Sequence, residues 1–419
     1  MRQILQNLRS SSFLRHNSIF FMGSLLVSGL NYLYYPILGR LMPTAQFGEV
    51  QALVSLFLQA TIFFTVVTNV AVNVVTNEGD QARRNRIVYE LEHAATLVTL
   101  VVLVIMLIFV RPLQQFLQFE EVGPFLMLAA ALMVGAPLAS RNAYLRGRLA
   151  FGTLSLANAA GSLAKIVFSA AFVIVGWRTT GALGGVVAAQ LVALVYTANR
   201  ARRLGLASPP GLKLWRWPDV AIIRPQLRYS ALVLVVSLVI TTLFSFDVIV
   251  VKHYFSAEVA GLYAGVATVA RIVFFVTASV AAVLLATVKL ESPAPANRRL
   301  LVRSIWLHTA AGGAVLLTFT LAPQLVVRLL IGAKYLAYAH LLPMLALALF
   351  GLAFVNLLFN YDLALRRASA AAVAIGGAVL MGAIISLHHN SIEAVVESLL
   401  WGAVGILILR GLDSVRRRY

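Results

Sequence analysis

The chain contains no cysteine, which excludes disulfide bonds and thiolate metal sites. Charged residues are also scarce: they make up 12% of the 419 residues, whereas 60% are hydrophobic. A soluble protein needs more polar surface than this composition supplies. A glycine-rich phosphate-binding loop is missing as well, and so is any long polar insertion, so we predict that the chain does not hydrolyse ATP itself.

The chain consists mainly of long apolar segments. Each has about 20 residues, enough to cross the hydrocarbon layer at about 1.5 Å per residue, and none alternates apolar and polar residues as a β-barrel strand does. The sequence therefore predicts an all-α integral membrane protein. We expect about 12 transmembrane helices, at 17–41, 47–75, 88–110, 124–140, 153–176, 181–199, 229–251, 259–287, 303–322, 338–360, 369–387 and 392–410.

Acidic residues are few: 15 Asp and Glu stand against 34 Lys and Arg, for a formal net charge of +19. The basic residues concentrate in every second loop, as at Arg83, Arg84 and Arg86 and throughout 200–228. By the positive-inside rule, this pattern predicts a multi-pass protein of the cytoplasmic (inner) membrane with both termini in the cytoplasm. Because the charge follows membrane sidedness, we predict no nucleic-acid partner.

Two turns in the chain match each other. LGRLMPTAQFGEV (38–50) and VKHYFSAEVAGLY (251–263) superpose at an offset of 213 residues, which places Gly48 on Gly261. Pro112 and Pro323, each just after a third span, match at nearly the same offset. The sequence therefore predicts two homologous six-helix bundles in the same orientation, 1–200 and 229–419, joined by a cytoplasmic linker at 201–228.

Basic residues lie in the middle of two predicted spans. Lys165 shares one helix face with Ser162 and Ser169, and Arg271 follows small residues in the eighth span. Ionisable groups at mid-membrane are functional candidates, and cations suit phosphate. We predict a hydrated cavity and the substrate-binding residues Arg271, Lys165, Arg40, Lys252, Asn31 and Gln59.

Other interpretations of these residues stay open. Lys165 has the length to reach an interface, Arg271 has an internal partner in Asp247, and Arg40 and Lys252 lie where interfacial anchors occur. Asp247 is interpreted as the one acidic residue clearly inside a span. Its two candidate roles are carrying a coupling proton or Na⁺ and neutralising an arginine.

The run from Asp247 through Lys252, Gly261 and Tyr263 to Arg271 resembles the second-half signature of polysaccharide flippases. These are the O-antigen (Wzx-type) exporters of the multidrug/oligosaccharidyl-lipid/polysaccharide (MOP) exporter superfamily. ILGRLMPTAQFGEVQAL (37–53) is similar to the early motif of the same family. The resemblance implies a V-shaped pair of six-helix bundles that alternates access and flips undecaprenyl-diphosphate-linked oligosaccharides to the outer leaflet. It also implies that cationic cavity residues meet the diphosphate.

The expected partners follow from that resemblance: an undecaprenyl-diphosphate-linked glycan, membrane lipids, and the polymerase and glycosyltransferases of a polysaccharide pathway. We expect no cofactor or metal, only a coupling H⁺ or Na⁺. The alternatives are a lipid II flippase or a small-molecule antiporter of the same superfamily. A membrane glycan polymerase or ligase is disfavoured, because the outer loops are short, and we predict that the protein is not an enzyme.

Overall fold

The computed structural model describes residues 12–208, 220–288 and 290–416, with side chains from residue 26 except 220–228 and 286. These ranges are helical and contain no strand. The middle of the predicted linker, 209–219, lies outside the described residues. The α-helices in chain order are α1 Ser12–Leu41, α2 Thr44–Thr61, α3 Phe63–Asn77, α4 Gln81–Ile108, α5 Val110–Phe116, α6 Gly123–Gly147, α7 Phe151–Phe172, α8 Arg178–Arg203, α9 Val220–Tyr254, α10 Ala257–Ala270, α11 Ile272–Thr287, α12 Ala294–Leu321, α13 Pro323–Leu330, α14 Leu342–Ala364, α15 Ser369–Leu387 and α16 Ile392–Arg416.

Within the described part of the chain, ten helical segments are long and apolar enough to cross a membrane. The longest, Phe151–Arg203, contains two predicted spans, and α1 contains the predicted first span. A π-helical turn at Val173–Trp177 separates α7 from α8. Gly176 in this turn has φ 100°, a conformation that glycine adopts without the steric cost of a Cβ. The chain therefore reverses between these two helices, as the sequence predicts.

The structure divides into two compact units. Unit 1 comprises 1–41, 63–114 and 120–227, and unit 2 comprises 42–62, 115–119 and 228–419. Two segments of the first half, α2 and 115–119, thus belong to the unit built by the second half. The homology of the two predicted bundles stays a prediction.

Unit 1 is built around α6, α7 and α8. Helix α8 packs on α7 and α6, α1 packs on α7, and α3 and α4 pack on α6. Small residues allow the close α7–α8 contact: Gly185 lies directly against the backbone of Ser169, where a Cβ would overlap it. A second core joins α3, α4 and α6 through Val70, Ile87 and Ala143.

Unit 2 is centred on α14, which packs on α11, α12 and α16. The helix α2 packs along α10, so the two helices that follow the matching turns lie against each other. Their motif glycines mark the crossing. A Cβ on Gly48 would come within 2.8 Å of the Gly261 Cα, and one on Gly261 would overlap the Thr44 carbonyl group. The offset of 213 residues in the sequence thus becomes a contact between equivalent positions.

The contact at Gly261 gives a test of this packing. Gly261→Ala should lower the free energy of unfolding by about 1–3 kcal/mol, because backbone atoms of Thr44 must move to admit the methyl group. The matched control is Gly382→Ala on α15, where a Cβ meets nothing within 4 Å. Thermal unfolding of the purified variants in detergent measures both. Equal unfolding midpoints for the two variants would contradict the close crossing.

Candidate functional site

A polar cluster in unit 1 is built by α1 and α7. The Lys165 Nζ donates to the Asn31 Oδ1 at 2.6 Å, and the Asn31 Nδ2 donates to the Ser162 Oγ at 3.0 Å. The ammonium also lies 4.5 Å from the centre of the Tyr34 ring, within the range of a cation–π interaction. The structure therefore brings together Lys165 and Asn31, two of the residues predicted to bind substrate.

The neighbouring helix α8 anchors this cluster. The Tyr34 hydroxyl and the Ser169 Oγ both donate to the Ala182 carbonyl, at 3.4 and 2.8 Å. Lys165 itself is half-buried, and in the described part of the chain no carboxylate forms a salt bridge with it. Its contacts with Asn31 and Tyr34 are with neutral groups, so no neighbouring carboxylate balances its positive charge among the described residues.

A second cluster lies inside unit 2. The Arg271 Nη2 donates to the Asp247 Oδ1 at 2.6 Å, and the Tyr263 hydroxyl donates to the Asp247 Oδ2 at 2.9 Å. The Arg271 Nε donates to the Phe244 carbonyl at 3.3 Å. Asp247 is 1% exposed and Arg271 7% exposed. This pairing is the internal partnership that the sequence left open, and it neutralises both ions.

The backbone explains why Arg271 reaches Asp247. Arg271 is the single residue between α10 and α11, and its amide still donates to the Ala267 carbonyl. The side chain leaves this junction toward α9, which carries both Asp247 and Phe244. A cation at the junction therefore connects three helical segments.

The structure places the other predicted residues apart from these clusters. Arg40 is exposed at the end of α1, and the Gln59 Nε2 donates to the Ser245 Oγ at 3.5 Å within unit 2. Lys252, expected near the outer rim, is 0% exposed; its Nζ lies 3.4 Å from the Gln118 carbonyl and 5.3 Å from the centre of the Phe119 ring. Substrate contact by these three residues stays a prediction.

Other acidic residues also lie within the helices. Glu92 of α4 pairs with Arg141 of α6, and the buried Glu90 of α4 pairs with Arg86. The interpretation of Asp247 as the one acid clearly inside a span stays a prediction. Asp362 in α14 is fully buried and binds Arg367 and Arg410. Asp362 lies in the last turn of α14, which continues to Ala364, just beyond the predicted end of the tenth span at 360.

Metal ligands do not cluster in the described residues. There, no group of three or more His, Cys, Asp and Glu side chains is placed to hold a metal ion.

The fold and both clusters can now be compared with known proteins. The family model described as polysaccharide biosynthesis protein matches residues 13–288, which is more than half of the chain. The chain belongs to the polysaccharide biosynthesis protein family. A search of curated proteins found no match.

Solved structures share the fold of this polysaccharide biosynthesis protein. An inward-facing multidrug resistance MATE family transporter of the MOP superfamily has a TM-score of 0.70 at 14% identity, covering 97% of this chain and 99% of its own. The lipid II flippase MurJ in an inward closed conformation has a TM-score of 0.72 at 11% identity, covering 95% and 87%. An outward-facing MATE transporter has a TM-score of 0.62 at 16% identity, covering 96% and 94%.

The family model confirms the predicted relationship to a polysaccharide family, and the solved structures confirm the predicted all-helical transmembrane fold. The protein is a multi-pass membrane protein of a polysaccharide biosynthesis family, and its fold is shared by MATE transporters and by the flippase MurJ.

The buried ion pair between Asp247 and Arg271 leads to a prediction about the stability of the protein. Asp247→Asn leaves the Arg271 cation buried without its carboxylate, so the free energy of unfolding should fall by about 3–5 kcal/mol. Asp247→Asn/Arg271→Gln removes both charges and should recover part of the loss. Thermal unfolding in detergent compares the three proteins.

The control for this experiment is Glu121→Gln. Glu121 and Arg178 of unit 1 are 4.0 Å apart, and their side chains are 55% and 59% exposed. Loss of this exposed ion pair should therefore lower the free energy of unfolding by less than about 1 kcal/mol. A double variant no more stable than Asp247→Asn would contradict the neutralising role of the pair.

Proposed function

We propose that the protein flips an undecaprenyl-diphosphate-linked oligosaccharide across the cytoplasmic membrane during assembly of a surface polysaccharide. The observation that carries the proposal is Lys165, a half-buried lysine without a salt-bridge partner in the described residues, held by Asn31 in a chain of the polysaccharide biosynthesis family. A charge inside a bilayer is costly unless it is paired. The diphosphate of a lipid-linked glycan is a suitable counter-ion.

The geometry of Lys165 fits that role. An ammonium has three donors, and one of them is directed to Asn31, which leaves two for phosphate oxygens. Asn31 and Ser162 hold the ammonium in place and supply polar groups beside it. We propose that Lys165 and Asn31 bind the diphosphate, while the polyprenyl chain stays in the lipid.

Arg271 and Asp247 are proposed to serve in coupling. In the described state the carboxylate of Asp247 occupies the guanidinium of Arg271. A proton or Na⁺ that neutralised the Asp247 carboxylate would weaken its ion pair with Arg271, and the guanidinium would then be available to a substrate anion. In this proposal, alternating access is driven by an ion gradient or by the membrane potential, and Asp247 connects the ion to the substrate.

Two members of the same superfamily are the alternatives. A lipid II flippase would bind the same diphosphate, and the fold similarity to MurJ favours including lipid II as a substrate in every assay. An antiporter of small cationic molecules would not benefit from an unpaired lysine in its cavity. The similarity to MATE transporters nevertheless makes such molecules a necessary comparison.

Leaflet assignment of a fluorescent undecaprenyl-diphosphate-linked glycan in proteoliposomes tests the proposal. A membrane-impermeant quencher reports how much of the fluorescent lipid is in the outer leaflet of the vesicle. The lipid should move between leaflets only when the protein is present, and an imposed potential or pH gradient should increase the rate of this movement. Lys165→Met should slow the movement about tenfold or more, because one charge-assisted contact is worth about 1.5–3 kcal/mol. Lys165→Arg keeps the charge and should retain more activity.

The control is Arg328→Gln, which removes an exposed cation from α13. It should flip at the wild-type rate. Wild-type movement in Lys165→Met would contradict the diphosphate role. Movement of lipid II or of a cationic drug in place of the glycan would assign the chain to one of the two alternatives.

Single introduced cysteines test the proposed orientation, because the native chain has none to react. Arg83→Cys lies in the first turn of α4, and Glu120→Cys lies between α5 and α6. With both termini in the cytoplasm, an impermeant maleimide should label Glu120→Cys in intact cells and Arg83→Cys only after permeabilisation. The reverse pattern would invert the topology.

A further inference from the structure

Unit 2 contains a cavity of about 240 Å³ that none of the predicted site residues lines. It lies between α9, α11 and α14. The residues around it are Ser237, Ile240, Thr241, Phe244, Phe274, Asn356, Asn360 and Leu363. Ser237 and Thr241 are one helical turn apart, and so are Asn356 and Asn360, so each pair turns one polar helix face to the cavity.

The polar groups of the cavity are available to a ligand. The Asn360 Nδ2 donates to the carbonyl and to the Oδ1 of Asn356, both at 2.8 Å. This leaves the Asn356 Nδ2 as a donor and the Asn360 Oδ1 as an acceptor. The hydroxyls of Ser237 and Thr241 make no hydrogen bond to another side chain or backbone group in the described part of the chain.

The remaining walls are aromatic and uncharged. The rings of Phe244 and Phe274 are 4.3 Å apart between centroids. None of the described lining side chains is ionised. Arg271 lies behind Phe244, 5.4 Å from the ring centre, with its charge directed to Asp247. Such a lining disfavours an anion and suits a neutral ligand that has hydroxyl groups and an apolar face.

The size and chemistry narrow the ligand further. Pockets for drug-sized molecules measure about 300–1,000 Å³, so this cavity fits a smaller group such as one six-membered ring. Carboxamides and hydroxyls bind neighbouring sugar hydroxyls as donor and acceptor, and an aromatic ring packs on the C–H face of a sugar. A bare cation would need oxygen ligands at about 2.3–2.6 Å, which a cavity of this volume does not supply around one point.

We propose that the cavity between Ser237, Thr241, Asn356 and Asn360 binds one uncharged pyranose ring of the transported glycan. This inference rests on the proposed function and adds to it a site for the sugar, separate from the diphosphate site at Lys165. The two sites use different chemistry: charge at Lys165, and neutral hydrogen bonds with aromatic contact here. The substrate class that follows is a lipid diphosphate with a neutral hexose or N-acetylhexosamine.

Binding to the full-length protein in nanodiscs tests the proposal. The probes are undecaprenyl diphosphate alone and the same lipid carrying one glucose, galactose, N-acetylglucosamine or N-acetylgalactosamine. At least one sugar should tighten binding about tenfold over the sugar-free lipid, the effect expected of two or three neutral hydrogen bonds. Asn356→Leu/Asn360→Leu should abolish this gain and leave the Kd of undecaprenyl diphosphate within about twofold.

A second, milder variant keeps the proposal testable if Asn356→Leu/Asn360→Leu fails to fold. Ser237→Ala/Thr241→Val removes only two small hydroxyl contacts and should reduce the gain from the sugar about threefold or more. Its matched control is Thr318→Val/Thr320→Val on α12, where both exposed hydroxyls donate to carbonyls of their own helix. This control should bind every probe as the wild type does.

The outcomes separate this inference from the proposed function. If undecaprenyl diphosphate binds and depends on Lys165, but no sugar improves binding or the cavity variants keep the gain, only the sugar site is overturned. If none of the probes binds, the proposed function fails with it. Stabilisation of the protein by Na⁺ without lipid, lost in Asn356→Leu/Asn360→Leu, would instead make the cavity a cation site.

Discussion

The structure depends on how charges are accommodated inside helices that cross a membrane. Asp247 and Arg271 neutralise each other through a 2.6 Å contact, and Asp362 is neutralised by Arg367 and Arg410. These ions have local partners because an unpaired charge in hydrocarbon costs several kcal/mol. Lys165 differs, since its described contacts are a carboxamide and an aromatic ring. Lys165 is therefore the best candidate for a functional residue, because its charge has to be neutralised by a ligand rather than by the protein.

A second constraint is the close approach of helices. Transmembrane helices gain little from burying apolar surface against one another in lipid, so they associate through tight packing at small residues. Gly48 and Gly261 allow α2 and α10 to cross with backbones in contact, and Gly185 allows the same between α7 and α8. The two glycines of the matching turns are thus explained by packing.

The division of chemistry inside the protein suits a composite substrate. The charged cluster at Lys165 and the neutral cavity at Asn356 and Asn360 present different chemical groups, and we propose the first as a site for an anion and the second as a site for a sugar. A lipid-linked glycan contains both kinds of group in one molecule. The Arg271 guanidinium of the buried ion pair lies against the ring of Phe244, and this ring also lines the neutral cavity. A change of charge at the pair would therefore act on the cavity through this one aromatic ring.

Apolar segments, loop charge and short turn motifs are local properties of the sequence, and they were sufficient to predict the membrane class, the approximate positions of the helices and the relationship to a polysaccharide family. The stripe of Lys165 and Ser162 also predicted a polar cluster, because residues on one helix face remain together in any fold. Other features needed the tertiary structure: the partner of Arg271 is 24 residues away, Asn31 meets Lys165 from another helix, and α2 joins the unit built by the second half. The sequence alone determined which helices form and which faces are polar. Only tertiary packing decided which polar faces meet. The free energy of pairing two buried groups depends on the distance between them, and when the groups lie on different helices that distance is set by how the helices pack.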